Sequence, residues 1–164
     1  MYISSLTSYK ENNQRLWAAV WRQGKGSTGL WSSEGAAFSQ EVTTLGATGL
    51  YVCALHTYLD DNGTRMWAAA FQQSQGGYYF GADLDWAAFQ SKHQDLTKIG
   101  LVLAAFVTYI NNDRRLFAAS WVPGTTPSQA LPGMVWNTFS KQADELRREQ
   151  QLITELEIFP GYMS

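Results

Sequence analysis

Apolar and polar residues alternate along much of the chain, in short runs that end at polar turns. This pattern is typical of paired β-strands. Three such pairs are visible, and the second turn contains Asn62-Gly63, which tolerates the positive φ angles of a tight hairpin. The predicted strands are, in pairs, Tyr2–Tyr9 with Arg15–Trp21, Leu50–Leu59 with Arg65–Phe71, and Leu101–Ile110 with Arg115–Trp121.

A helical spacing of apolar residues follows each predicted hairpin, after a stretch that we interpret as a loop. The first two loops are predicted at Gly24–Gly29 and Gln72–Gly81, and the third is rich in proline, from Pro123 to Pro132. Intervals of three and four residues place the apolar side chains on one helix face. The three stripes are Phe38, Val42 and Leu45; Trp86, Phe89, His93 and Leu96; and Trp136, Phe139, Ala143 and Leu146.

Polar and glycine residues at the ends of these stripes predict where the helices begin and end. Ser32 or Ser33 is the predicted cap of the first helix, and Asp83 of the second, because their side-chain oxygens can accept from the first-turn N–H groups. Gly46 or Gly49 ends the first helix in this prediction, and Gly100 the second.

One short motif is written three times, at intervals of 50 residues. Arg15-Leu16-Trp17-Ala18-Ala19-Val20-Trp21 returns at Arg65–Phe71 and at Arg115–Trp121. A fixed period of this size indicates a repeat architecture. We therefore predict an α+β fold of three hairpin–helix (ββα) repeats of about 50 residues, whose hairpins stack as in a propeller or a solenoid, with the helices on one face.

The predicted repeats make one domain that spans residues 1–164. Its units are about 1–49, 50–99 and 100–151, and residues 152–164 begin a fourth unit. Leu152–Phe159 resembles the first strand of that unit, with no return strand after it. Because an unpaired strand edge invites pairing, we expect this strand to pair with the N-terminal hairpin or with another chain.

The repeated motif also supplies the first candidate site. Alternation along a strand puts its arginine and its two aromatic residues on one face. Two interpretations remain open: the rings pack between neighbouring units, with each arginine over a ring or bonded to turn carbonyls, or they form a surface that grips a flat ligand. The candidate ligand-binding residues are Arg15, Trp17, Trp21, Arg65, Trp67, Phe71, Arg115, Phe117 and Trp121, with Tyr58, His56, Tyr78 and Tyr79.

Composition and charge exclude little but point away from two classes of partner. The 164-residue chain has 14% aromatic residues, including 7 Trp, and a formal net charge of -2. This charge gives no reason to expect nucleic acid or an anionic membrane, and no apolar run approaches the ~20 residues of a membrane helix. No signal peptide is visible, so the sequence suits a cytoplasmic protein or a mature secreted fragment equally.

Residues with recognised chemistry are few. Cys53 lies in a predicted apolar strand, which favours a buried thiol over a nucleophile. His56 and His93 have no cysteine or second histidine at metal-ligand spacing, so no metal and no cofactor are expected. His56 is the better functional candidate of the two, because it interrupts the repeat beside the Asp60-Asp61 turn.

The third unit resembles a known family. Its order is Gly100, a strand, Tyr109, a turn and then Arg115–Trp121, which is similar to the Gly–strand–Tyr–turn–Arg–aromatic–Ala–Ala–x–Trp pattern of the bacterial tandem-repeat domain. Similar repeats form the N-terminal part of fungal polyglycine hydrolases, which are secreted serine proteases. The resemblance implies a repeat domain that binds or presents a partner. It does not imply the protease activity, because the chain has no Ser-x-x-Lys motif.

Three functional hypotheses follow. The first is a non-catalytic binding or scaffold module that uses its aromatic surface, associates with copies of itself, and takes a protein, peptide or carbohydrate ligand. The second is a small enzyme with a site at a repeat junction, using His56, Asp60 or Tyr58. The third is an accessory repeat fragment, either of a secreted hydrolase or a structural spacer from a longer repeat protein.

Overall fold

A computed structural model of the chain describes residues 1–24, 27–126, 128–131, 133–151, 153 and 156. These residues form an α+β fold with eight strands in three antiparallel sheets and three helices. They divide into two compact units, Met1–Pro127 and Ser128–Ser164. In chain order the elements are β1 (Tyr2–Glu11), β2 (Gln14–Arg22), β3 (Ser27–Glu34), α1 (Gly35–Ala47), β4 (Leu50–Leu59), β5 (Arg65–Gln73), β6 (Tyr79–Leu84), α2 (Trp86–Lys98), β7 (Leu101–Asn111), β8 (Arg114–Pro123) and α3 (Trp136–Arg148).

The three predicted hairpins are confirmed as β1–β2, β4–β5 and β7–β8. Their turns are built in two ways. Asn12 and Asn13 both have positive φ, of 48° and 62°, which asparagine tolerates better than most residues. In the second turn the Asp60 carboxylate accepts from the backbone N–H groups of Asn62 and Thr64, so this aspartate is occupied in closing the turn.

Two strands occupy stretches predicted as loops, and this part of the prediction is wrong. β3 begins inside the predicted loop Gly24–Gly29 and continues to Glu34, and β6 begins inside the predicted loop Gln72–Gly81. β3 pairs with β5, and β6 pairs with β8, which gives the strand orders β3-β5-β4 and β6-β8-β7. Each added strand satisfies the backbone groups along the outer edge of a return strand, which would otherwise be left unpaired.

The helices form where they are predicted, but their caps differ. Ser32 and Ser33 lie in β3, and the residue before α1 is Glu34, whose side chain makes no capping bond. Asp85 rather than Asp83 caps α2, accepting from the Ala88 N–H at 2.9 Å. The Asp83 carboxylate instead accepts from the Tyr109 hydroxyl at 2.8 Å, so it is not available to a helix.

A glycine follows each of the first two helices, at the predicted positions Gly49 and Gly100. Gly49 and Gly100 have φ of +83° and +82°, a left-handed conformation that turns the chain out of the helix at little cost for glycine. Gly46, the alternative end, lies inside α1.

The core lies between the sheets and under the first two helices. Phe38 and Val42 of α1 are buried against one face of the sheet β3-β5-β4, with Trp67 and Phe71. On the opposite face of that sheet, Ala68 and Ala70 pack with Ile3 and Leu6 of β1. These small residues allow the two sheets to approach closely, as expected for close face-to-face packing.

The compact unit Ser128–Ser164 contains α3, which has no buried residue. The predicted strand Leu152–Phe159 lies outside the described residues, except for Ile153 and Leu156.

Candidate functional site

The six repeated rings lie in two different environments. Four of them, on β5 and β8, are at most 5% exposed and belong to the core: Trp67, Phe71, Phe117 and Trp121. The two on β2, Trp17 and Trp21, are 45% and 55% exposed. A ligand at the surface can therefore reach the rings of the first copy but not those of the other two.

The first two repeated arginines each connect one hairpin to the turn of the next. The Arg15 guanidinium lies 3.8 Å from the centre of the Tyr58 ring and donates to the Leu59 carbonyl at 2.9 Å. Arg65 lies 5.2 Å from the centre of the Tyr109 ring and donates to the carbonyl of Ile110. This is the arrangement that the packing interpretation of the motif predicts. Arg115, in the third copy, is half-buried.

Trp17 and Trp21 line a groove of about 370 Å³ between the sheet β1–β2 and the strand β3, which we call the β2 groove. Its walls are almost entirely apolar. The lining residues are Leu6, Trp17, Ala18, Ala19, Trp21, Leu30, Trp31, Ser32 and Ala68. Leu30 and Trp31 are 59% and 43% exposed, so the groove joins four large apolar side chains that solvent reaches. Such a patch is typical of a binding surface on a soluble protein.

Sequence reasoning missed Leu30, Trp31 and Leu6 as site residues. Leu30 and Trp31 follow a glycine-rich stretch and precede two serines, which favoured a loop and a helix cap there. A signal was present in the repeat itself. Leu30 lies 50 residues before Phe80, the interval that separates the copies of the short motif, and an alignment of the two segments would have placed both on a strand.

A polar cluster lies where β1 meets β4, beside Trp17. The Ser8 hydroxyl is 2.9 Å from Nε2 of His56, and the Ser8 backbone N–H also donates to Nε2, at 3.2 Å. Arg15 donates through Nη1 to the Ser8 hydroxyl at 3.0 Å. Trp17 contacts the rings of His56 and Tyr58 edge-on, with centroid distances of 6.2 and 5.5 Å.

The electrostatics of this cluster hold His56 neutral. Burial is the main cause that lowers the pKa of His56 to about 4, and the positive charge of Arg15 contributes to the same shift. Since the backbone N–H of Ser8 donates to Nε2, that nitrogen is an acceptor and the ring proton is on Nδ1.

A Ser–His pair at this distance resembles the first two members of a catalytic triad, in which the histidine accepts the serine proton. Among the described residues, however, no carboxylate is hydrogen-bonded to the ring to orient it.

The other candidate aromatics pack against helices. The Tyr78 hydroxyl donates to the Val42 carbonyl of α1 at 2.8 Å. Tyr79 lies 5.8 Å from the ring of Trp121, and the Lys92 ammonium lies 4.9 Å from its centre. Neither contacts the β2 groove.

His93 and Cys53 are both part of the packing. Trp121 donates through its indole N–H to Nδ1 of His93 at 3.0 Å, and the His93 ring stacks on Phe89. Cys53 is buried and donates to the carbonyls of Ile3 and Ala70, and burial raises the pKa of its thiol to about 11. A thiol with this pKa is a poor nucleophile at neutral pH.

The part of the chain that the structure describes has neither a cluster of metal ligands nor a membrane-spanning helix. Within it, no three His, Cys, Asp or Glu side chains come together as ligands of a metal ion. Nor does any described helix have the length and apolar character needed to cross a bilayer.

Comparison with known proteins adds no further constraint. The chain matches no protein-family model, no curated protein and no solved structure.

Proposed function

We propose that the protein is a non-catalytic binding or scaffold module that associates with copies of itself, and that the β2 groove is its binding surface. The observation that carries this proposal is the exposure of Trp17 and Trp21, at a position where the other two copies of the motif are buried. Large rings in an apolar groove are the residues that most often dominate the energy of protein interfaces.

The finer architecture belongs to the same proposal. Three ββα repeats, stacked as in a propeller, are supported by the helix that follows each hairpin and by the recurring contacts between neighbours. Trp17 meets Tyr58 edge-on at 5.5 Å, and Trp67 meets Tyr109 in the same way at 5.0 Å. The resemblance to the bacterial tandem-repeat domain supports the same reading, and it also fits an accessory repeat that presents a partner.

Sedimentation equilibrium tests the function. We expect the weight-average mass of the chain to rise with concentration above the 18.4 kDa of one copy. Trp21→Glu places a charge in the groove and should lower the mass to that of one copy at all concentrations. Ile99→Glu is the matched control, because Ile99 is 71% exposed and lies outside the groove. A wild-type mass of one copy throughout would contradict the proposal.

A second candidate function rests on the 2.9 Å contact between Ser8 and His56. If this pair acts in catalysis, the Ser8 hydroxyl is the nucleophile and His56 accepts its proton. Arg15 opposes this activity, since its donation to the hydroxyl oxygen withdraws electron density from the nucleophile. A fluorophosphonate probe decides the question: labelling that is lost in both Ser8→Ala and His56→Ala would support an enzyme, and an unlabelled wild type would exclude this nucleophile.

A further inference from the structure

The sheet β3-β5-β4 shows what covers the position corresponding to the β2 groove. There, α1 lies over the face of β5 that carries Trp67, and Phe38 stacks on this ring with a centroid distance of 5.5 Å. Phe38 also contacts Phe80 of β6 edge-on at 6.1 Å. A helix therefore fills the space between the return strand of one sheet and the outer strand of the next.

The next sheet repeats the arrangement. Phe89 of α2 lies against Phe117 and Trp121 of β8, with centroid distances of 5.9 and 5.7 Å. Phe38 and Phe89 hold the same place in their helices, as the fourth residue of thirteen. In both sheets, the phenylalanine at the fourth helix position therefore packs on the ring-bearing face of the return strand.

The β2 groove has the same walls without the helix. Trp17, Ala19 and Trp21 lie 50 residues before Trp67, Ala69 and Phe71, and Leu30 lies 50 residues before Phe80. Within the described residues, the sheet β1–β2 has two strands, and the residues that line the groove all belong to strands. The wall residues of a helix-binding site are therefore present in the groove, and their rings are exposed.

The helix α3 has the complementary features. It has thirteen residues, like α1 and α2, and its fourth residue is Phe139. Ala143 and Leu146 follow at the positions of Val42 and Leu45 in α1. Phe139, Ala143 and Leu146 are all half-buried, whereas Phe38 and Val42 are buried. The chain thus has a helix with an apolar stripe that is only partly covered.

We propose that α3 of a second copy of this chain docks in the β2 groove, with Phe139 stacked on Trp17 as Phe38 stacks on Trp67. The proposal rests on the proposed self-association and names its contact surfaces. Because the groove and the helix are different surfaces, the contact is head-to-tail, and repetition gives a closed ring or an open chain of copies.

A second copy is the occupant that the observations favour. The groove is formed within the unit Met1–Pro127, and α3 belongs to the unit Ser128–Ser164. Each unit carries a large exposed ring at its apolar surface: Trp21 of the groove is 55% exposed, and Trp136 of α3 is 71% exposed. The packing of α1 and α2 shows that a helix with phenylalanine at its fourth position fits against the repeated rings of a return strand.

Mixing two variants tests the head-to-tail contact. Trp21→Glu disables the groove and leaves α3 intact, whereas Phe139→Glu disables α3 and leaves the groove intact. Each variant alone should sediment as one copy, and an equimolar mixture should form a dimer, since the mixture restores one intact contact. The positive control is a mixture of Trp21→Glu with Ile99→Glu. The Ile99→Glu variant keeps both the groove and α3 intact.

A second α3 variant protects the test against misfolding. Ala143→Arg introduces a charge into the same stripe, and circular dichroism and thermal unfolding show whether each variant retains the fold. Self-association that Trp21→Glu abolishes but Phe139→Glu and Ala143→Arg leave unchanged would overturn the assignment of α3, while the groove would stand as the binding surface. A mixture that fails to dimerise would overturn the head-to-tail contact. A monomeric wild type would overturn both proposals.

Discussion

Equivalent positions of the three hairpins carry different residues in different surroundings, and Ser120 is an example. It occupies the place that Ala70 holds in the second hairpin and Val20 in the first. Ser120 is fully buried, and its hydroxyl donates to the Val52 carbonyl, next to the register shift at Val52 and Ala54. A buried hydroxyl without a partner would be unfavourable, so this bond explains how the core accepts a serine here.

Replacing this serine tests the bond. Ser120→Ala should lower the free energy of unfolding by about 1–2 kcal/mol, because it leaves the Val52 carbonyl without its donor. Urea unfolding at neutral pH measures the change. Ser39→Ala serves as the control, since Ser39 is exposed in α1. Equal stabilities of Ser120→Ala and the wild type would show that the hydroxyl does not stabilise the fold.

His56 predicts how stability depends on pH. Its folded-state pKa is lowered to about 4, from an ordinary value of 6.5. The unfolded chain therefore binds more protons than the folded chain between these values, and the free energy of unfolding falls as the pH falls from 6.5 to 4. Because the side chain is partly solvated, we expect a loss of at most about 2 kcal/mol.

Urea unfolding of the wild type and of His56→Gln at pH 7.5 and pH 5 isolates this contribution. Glutamine keeps a polar group beside Ser8 but does not titrate. The wild type should lose more stability on acidification than the variant, since the carboxylates are common to both. Parallel pH profiles would mean that His56 has an ordinary pKa.

The three helices share an apolar stripe with phenylalanine at the fourth position, but this residue is buried to different extents. Phe38 of α1 and Phe89 of α2 are 2% and 1% exposed, whereas Phe139 at the same position of α3 is half-buried. The hydrophobic contribution of the same residue should therefore depend on which helix carries it.

Alanine at this position compares the helices directly. Phe38→Ala and Phe89→Ala should each lower the free energy of unfolding by roughly 3–5 kcal/mol, because both leave a cavity in the core. Phe139→Ala should change the stability of a dilute sample by less than about 1.5 kcal/mol, since less apolar area is lost. Thermal and urea unfolding at low concentration provide the values. A cost for Phe139→Ala as large as for Phe38→Ala would show that α3 is already packed within its own chain.

The sequence predicted the hairpins and helices well, because their signals are local. Turn residues such as Asn12 and Asn62-Gly63 fix a hairpin within a few positions, and intervals of three and four fix a helix face. β3 and β6 were missed because their pairing with β5 and β8 is not local. Each carries glycine or serine where a strand usually has β-branched residues, and the partner edge decides its conformation.

The candidate site was predicted only in part, for a related reason. Alternation identified the ring-bearing face of the return strands, including Trp17 and Trp21. It could not reveal that Trp67 and Trp121 are buried while these two are exposed, because the difference lies in which helix covers each sheet. Ser8 was not singled out either, since its contact with His56 joins residues that are 48 positions apart.

For the whole molecule, our account predicts a chain that presents two unlike apolar surfaces. The unit Met1–Pro127 presents the β2 groove, and the unit Ser128–Ser164 presents α3. Complementary surfaces of this kind assemble head-to-tail, and the association is driven by the burial of rings such as Trp17 and Trp21.

Hydrogen exchange of the unmodified protein at two concentrations tests self-association through these two surfaces. We predict that amide exchange slows with rising concentration in β2 and in α3 together, because docking suppresses local opening in both, while exchange in β8 stays unchanged. Exchange rates in β2 and α3 that do not depend on concentration, in samples that span a tenfold or larger range, would contradict the account.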